Sequence, residues 1–277
     1  MTRIKAPQAP ACEHGRMTPP LAPRALQDTR RHAVRRIGLL QPLYWLALGW
    51  RDLRRCPAPG LLHGLALAAF GLLLALVAHR QFWLLTGAFT GFLLVGPIVA
   101  TGLYQVSRRL ERGEPADLGS ALQVWVPNDG RLVVFGVLLA FAGTGWVVTS
   151  AAVITGLSPE PITDPLMFLR RVVLAEQGWL FEVWLGVGAL LAAPVFASSV
   201  VAIPLLLDRR IGILGAVFTS WRAVLENPAP LALWAVLLTG LTVLGMLPAM
   251  LGLVVVAPWL AHASWHAYRD LVAPEQA

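Results

Sequence analysis

Two histidines, His262 and His266, stand four apart within AHASWHAYRD near the C-terminus. On a helix that spacing places both imidazoles on one face, where they can share a metal ion or hydrogen-bond a neighbouring helix, backbone or lipid phosphate. His63, near the inner start of another apolar segment, is the candidate third ligand. Glu182 is the only carboxylate inside an apolar segment, which makes it the candidate proton or cation group, with Arg170 or Arg171 as partner. Its segment, Trp179–Leu207, would be about 43 Å of helix, so the outer turns protrude and Glu182 also reads as a headgroup-level residue. Pro97, Pro194, Pro204 and Pro258 are expected to kink their helices and free carbonyls. Gly87 and Gly91 form a GxxxG pair that favours close helix contact.

The elements that must position these residues are membrane spans. The chain has 277 residues, 57% hydrophobic and 13% charged, with a mean hydropathy of +0.66, against roughly 25% charged in a soluble domain. A bilayer core takes about 20 apolar residues per helix. Six segments meet or approach that length: Leu61–Ala78, Phe82–Tyr104, Leu132–Gly156, Trp179–Leu207, Leu231–Leu247 and Ala249–Tyr268. The last two are short enough to be tilted or re-entrant. Residues 1–36, with five prolines and few large apolar side chains, read as a disordered basic arm rather than a secretory signal.

Orientation follows from the basic residues. With the N-terminus inside, 19 of the 22 Lys and Arg face the cytoplasm, and Arg80, Arg170 and Arg171 alone fall outside. Both termini are then expected to be cytoplasmic, and the Ala, Leu and Arg bias points to a bacterial inner membrane.

An internal repeat organises the spans. WRDLRRCPAP from Trp50 aligns with WRAVLENPAP from Trp221, and PIVATGLYQVSR from Pro97 with PWLAHASWHAYR from Pro258. A degenerate third copy uses Trp125, Pro127 and Pro194. The expected architecture is all-α: three hairpins, at about 43–110, 115–210 and 212–270, each preceded by a short amphipathic interfacial helix. In Leu43–Arg55, Leu43, Leu46, Trp50 and Leu53 recur at helical spacing, with Arg51, Asp52, Arg54 and Arg55 away from them; Ile213–Glu226 repeats the pattern. Trp50, Arg51, Trp221 and Arg222 are thus the candidate lipid-interface residues.

Several function classes fall away. Lys5 is the only lysine, which excludes Walker-type and Schiff-base lysine chemistry. HExxH, GxSxG, GxGxxG and EF-hand patterns are missing. Glu111 and Glu114 lie beside Arg108, Arg109 and Arg112, as on a solvated salt-bridged face. Cys12 and Cys56 lack zinc or redox spacing, and the basic residues flank spans rather than forming a nucleic-acid surface.

At WRDLRR, YQVSRRLERGE, PLLLDRR, TSWRAVLENP and WHAYRDL the chain resembles a family of bacterial integral membrane proteins catalogued as domain of unknown function 2189, over roughly residues 37–272. Some members carry a cytochrome c oxidase label. A haem–copper oxidase needs about six intramembrane histidines, whereas only His63, His79, His262 and His266 lie in or beside spans. No cofactor is expected on this count, with a single b-type haem or a divalent metal left open. The leading expectation is a non-enzymatic assembly, scaffold or lipid-interacting module with anionic phospholipids and membrane subunits as partners. The alternatives are a small-solute or ion transporter and a haem- or metal-binding redox protein.

Overall fold

The computed structural model describes residues 32–78, 100–125, 130–158, 160–162, 164–175 and 179–273. Among these the chain is helical, with one isolated β-bridge between Val34 and Val272. Helix α1 (Gln41–Arg55) starts with Pro42 in its first turn and stops before Pro57, which opens α2 (Pro57–Ala78). Helix α3 (Thr101–Glu111) ends where Gly113 takes φ 69° and the Glu114 N–H returns to the Arg109 carbonyl at 2.9 Å. Asp117 caps α4 (Leu118–Leu122) by accepting from the Ser120 N–H at 2.8 Å, and the Ser120 bonds hold its carboxyl below the usual range.

Then come α5 (Gly130–Leu157), α6 (Pro165–Phe168) with a following π-turn, α7 (Leu180–Ser199), α8 (Ala202–Asp208), α9 (Ile213–Glu226), α10 (Pro228–Met246) and α11 (Leu253–Leu271). A tight turn joins α10 to α11, with Ala249 and Met250 both at positive φ. Pro194 lies inside α7, Pro204 in the first turn of α8 where its missing N–H costs nothing, and Pro258 inside α11.

Four spans are long and apolar enough to cross a membrane among the described residues: Pro57–Leu74, Gly130–Leu157, Leu180–Asp208 and Pro228–Met246. The expected second span lies mostly outside the described residues, as do Pro97, Gly87 and Gly91. The expected sixth forms α11, but His262, Ser264, His266, Arg269 and Asp270 make its second half too polar to count. That polarity has a use, because α11 packs against α1, α2 and α3 and is the most buried of the long helices.

The main core gathers Trp45, Trp234, Trp265, Tyr268 and the Val201–Leu206 stretch, with Trp45 edge-on to Trp234 at 5.5 Å. A second cluster, Ile154, Ile162 and Val172, sits around Trp184. Residues 32–36, the end of the expected disordered arm, form an extended strap together with Ile37. Arg35 N–H donates to the Leu271 carbonyl, Ala273 N–H to the Ala33 carbonyl, and Asn227 bonds both Ile37 N–H and the Arg35 carbonyl. Two backbone partners and the Asn227 side chain outweigh the composition that marks the segment as unstructured.

Candidate functional site

The site begins on α1. Asp52, read from sequence as part of the polar outer face, is 2% exposed and points inward to α11. Its Oδ2 accepts from His266 Nε2 at 2.7 Å, and Ser107 of α3 helps to hold its charge. Ser107 Oγ also lies 2.7 Å from His262 Nδ1. The hydroxyl can donate to or accept from that nitrogen, so the contact suits either ring tautomer. His262 is 0% exposed, and its other nitrogen, Nε2, is buried with no hydrogen-bond partner. His63, one turn into α2, places Nδ1 2.8 Å from the Pro59 carbonyl, which can only accept.

Glycines bring these helices together. A Cβ on Gly49 would lie 2.5 Å from the Ala263 nitrogen, and one on Gly64 would lie 2.2 Å from the Val254 carbonyl oxygen. Val254 is four residues before Pro258, so the proline has removed the N–H that would have bonded this carbonyl. The kink thus presents a freed oxygen to a glycine. A Cβ on Gly60 would lie 3.7 Å from His262 Nε2. Gly60 and Gly64 are a GxxxG pair on α2 that sequence reading passed over.

A second polar cluster closes the bundle where α3, α8 and α11 end. Asp208 accepts from Tyr268 at 2.8 Å and faces Arg108 at 3.0 Å, Arg269 at 3.7 Å, and Arg112 and Arg209 at 3.8 Å. Glu111 takes Arg269 Nε at 3.0 Å and Trp265 Nε1 at 3.1 Å. Burial opposes the charge on Arg269, but the charge and hydrogen bond of Glu111 and the charge of Asp208 outweigh it and raise its pKa. Three helix C-termini carry about half a negative charge each, so these arginines balance dipole ends as well as two carboxylates. The cavity here, about 220 Å³, is lined by Arg108, Glu111, Arg112, Asp208, Trp265 and Arg269.

The remaining candidates are scattered. Glu182 lies exposed in the first turn of α7, and Arg171, one of its expected partners, pairs with Glu160 instead. Trp50 is 41% exposed and meets Trp259 edge-on at 5.5 Å. Trp221 is 38% exposed and donates to Ser198 at 2.8 Å. Arg51 is exposed, and Arg222 pairs with Glu226 at 2.7 Å. Among the described residues no three of His, Cys, Asp and Glu are grouped to hold a metal ion.

Long apolar helices joined by buried polar bonds define an integral membrane protein. Residues 84–208 match the family model described as "Predicted integral membrane protein (DUF2189)", the family that the sequence motifs resemble. The match includes Ser107 and Asp208 but neither Asp52 nor His262. No curated protein and no solved structure matches the chain.

Proposed function

We propose that the chain is a six-span protein of the bacterial inner membrane, with both termini cytoplasmic, acting as a non-enzymatic assembly or lipid-interacting module. The observation that carries this reading is the design of α9. Helix α9 buries its small and polar residues, Gly215, Ala216, Thr219, Ser220 and Ala223, and leaves Leu214, Phe218, Trp221 and Leu225 outward. Helix α1 shares this only in part: it leaves Leu43, Tyr44 and Trp50 outward and buries Gly49 and Asp52, but also Trp45, Leu46 and Leu53. Small residues inside and large apolar ones outside is the packing of helices against lipid, and the Trp–Arg pairs Trp50–Arg51 and Trp221–Arg222 sit where headgroups meet the apolar layer.

Other features support the same reading. Ala33 and Ala273 are hydrogen-bonded neighbours, so both ends lie on one side, as an even number of crossings requires. The Asp208 cluster holds helix ends together, and most of the basic residues lie on that same side under the proposed orientation. Both α1–α2 and α9–α10 turn at a Pro-Ala-Pro, in keeping with repeated hairpins. A transport path finds less support, since Glu182 is exposed at a helix start rather than aimed into a cavity.

The test is reconstitution of the purified protein into nanodiscs with and without anionic phospholipid. Native mass spectrometry should find anionic lipid retained by the wild type and lost in a Trp50→Ala/Arg51→Ala/Trp221→Ala/Arg222→Ala variant of unchanged secondary structure. Equal retention by the variant would sink the lipid-interface reading. Partner subunits would be sought by cross-linking from the same four positions.

A further inference from the structure

The geometry points to a phosphate-binding site in the cavity where α3, α8 and α11 end, the phosphate being carried by an anionic lipid headgroup or by a small soluble compound.

Charge and unused donors carry the assignment. Arg108, Arg112 and Arg269 line the cavity against the carboxylates of Asp208 and Glu111, and Arg209 adds a fourth guanidinium 3.8 Å from Asp208. Four cations around two anions leave two positive charges over, since arginine stays ionised in proteins. Much of their hydrogen-bonding capacity is also unspent. Arg112 approaches Asp208 at 3.8 Å, makes no side-chain hydrogen bond among the described residues, and has its side chain 52% exposed. Arg269 commits Nε to Glu111 at 3.0 Å, while its Nη1 stays 3.7 Å from Asp208. Arg108 Nε is buried 3.0 Å from Asp208 but is not aligned to donate, and its terminal nitrogens make only long bonds, 3.5 Å to Gln105 and 3.3 Å to the Asp208 carbonyl.

The helix ends do not absorb this surplus. The last carbonyls of α3 accept from the backbone N–H groups of Arg112, Gly113 and Glu114. Those of α8 and α11 are met largely by arginines that do not line the cavity: Arg131 donates to the Leu206 carbonyl at 3.5 Å, and Arg35 to the Arg269 carbonyl at 2.9 Å. What remains is a set of guanidinium forks around a space of about 220 Å³. At roughly 30 Å³ per water such a space takes about seven waters, which is room for a phosphate and a short organic tail. A phosphate presents several tetrahedrally placed oxygens and up to two negative charges, so it can receive forks from more than one arginine at once. A carboxylate has two oxygens in one plane and a single charge, and would leave part of the surplus unmatched.

The experiment uses the full-length protein in phosphate-free detergent, washed until its phosphorus content is constant, and isothermal titration with inorganic phosphate, glycerol 3-phosphate and short-chain phosphatidylglycerol. Saturable one-to-one binding of at least one probe is expected. Tighter binding of the soluble probes identifies a soluble ligand; tighter binding of the lipid, or one phosphorus per chain that resists washing, identifies a headgroup. Arg112→Gln, at an exposed position and with helical circular dichroism unchanged, should weaken binding about tenfold or more, or release the retained phosphorus. Arg269→Gln should do the same. Arg54→Gln, an exposed arginine on α1, should bind as the wild type does. No binding by any probe to phosphorus-free protein, unchanged binding in Arg112→Gln, or an equal loss in Arg54→Gln would each overturn the assignment. All three variants leave Trp50, Arg51, Trp221 and Arg222 in place, so the lipid-interface reading stands or falls separately.

Discussion

Asp52 and His266, 214 residues apart in sequence, meet at 2.7 Å and join the first described helix to the last. Burial, the largest single influence, would raise the Asp52 carboxyl, but the His266 bond and charge, Ser107 and the charge of His262 together hold it below its ordinary 3.8. A lowered carboxyl contributes stability that is fully present above its unfolded pKa and is lost as pH falls through the folded value. Asp52→Asn should therefore cost about 1–3 kcal/mol at pH 7, and the difference from wild type should shrink once the pH drops below the ordinary carboxylate range. Thermal melts of the detergent-purified pair from pH 7 to pH 3 measure this; a difference that does not change with pH would count against an ionised Asp52.

Asn227 is the clasp of the N-terminal strap, accepting from Ile37 N–H at 2.9 Å and donating to the Arg35 carbonyl at 3.0 Å. Asn227→Ala removes both bonds, worth about 1 kcal/mol each. Limited trypsinolysis at Arg35 and Arg36 should quicken about tenfold or more, with the helical circular dichroism preserved. Unchanged cleavage would mean that the strap is held by its other bonds, to Leu271, Ala273 and the Arg269 carbonyl.

Gly64 leaves no room for a methyl group, since the nearest atom to an added Cβ is the backbone oxygen of Val254 at 2.2 Å. Gly64→Ala must push α2 off α11 and should cost about 1–3 kcal/mol or more. Gly145→Ala, with nothing within 4 Å, is the control and should be close to neutral or slightly stabilising. Denaturation in mixed micelles compares the two.

Cys56 sits where α1 meets α2, its Sγ 3.2 Å from the Ala116 carbonyl. Burial first, and the negative charge of Asp117 second, raise its thiol above the ordinary 9.0. In a Cys12→Ser background, alkylation should be slow at neutral pH and reach half its limiting rate only above pH 9. Asp117→Asn should shift that midpoint down.

Long helices were readable from apolar run length, and helix boundaries from Pro57 and Pro228. The polar interior was not. Asp52 lies between Arg51 and Leu53 on a helix whose neighbours in sequence are arginines, so local pattern assigned it to the wet face. Only a partner 214 residues away makes its burial tolerable. On α9 the helical spacing of the apolar residues gave no sign that Thr219 and Ser220 are buried while Phe218 and Trp221 stay outward. Gly60 and Gly64 had the right spacing in plain view, but their meaning depends on the carbonyl that Pro258 frees on another helix. His262 and His266 were correctly placed on one helix, yet their different roles follow from tertiary hydrogen bonds that spacing cannot encode.

The place of α11 sets a timetable for synthesis. Helices α1, α2 and α3 leave the ribosome long before the helix that packs against all three of them. At roughly 5–20 residues per second, the interval between Asp52 and His266 is about 10–40 s. Throughout it the nascent chain carries an unmatched carboxylate, glycine faces without a neighbour and a half-built helix assembly at the translocon. The newborn protein therefore has a defined vulnerable period, closed only when its last twenty residues arrive, and a chain terminated early would be a ready target for membrane quality control.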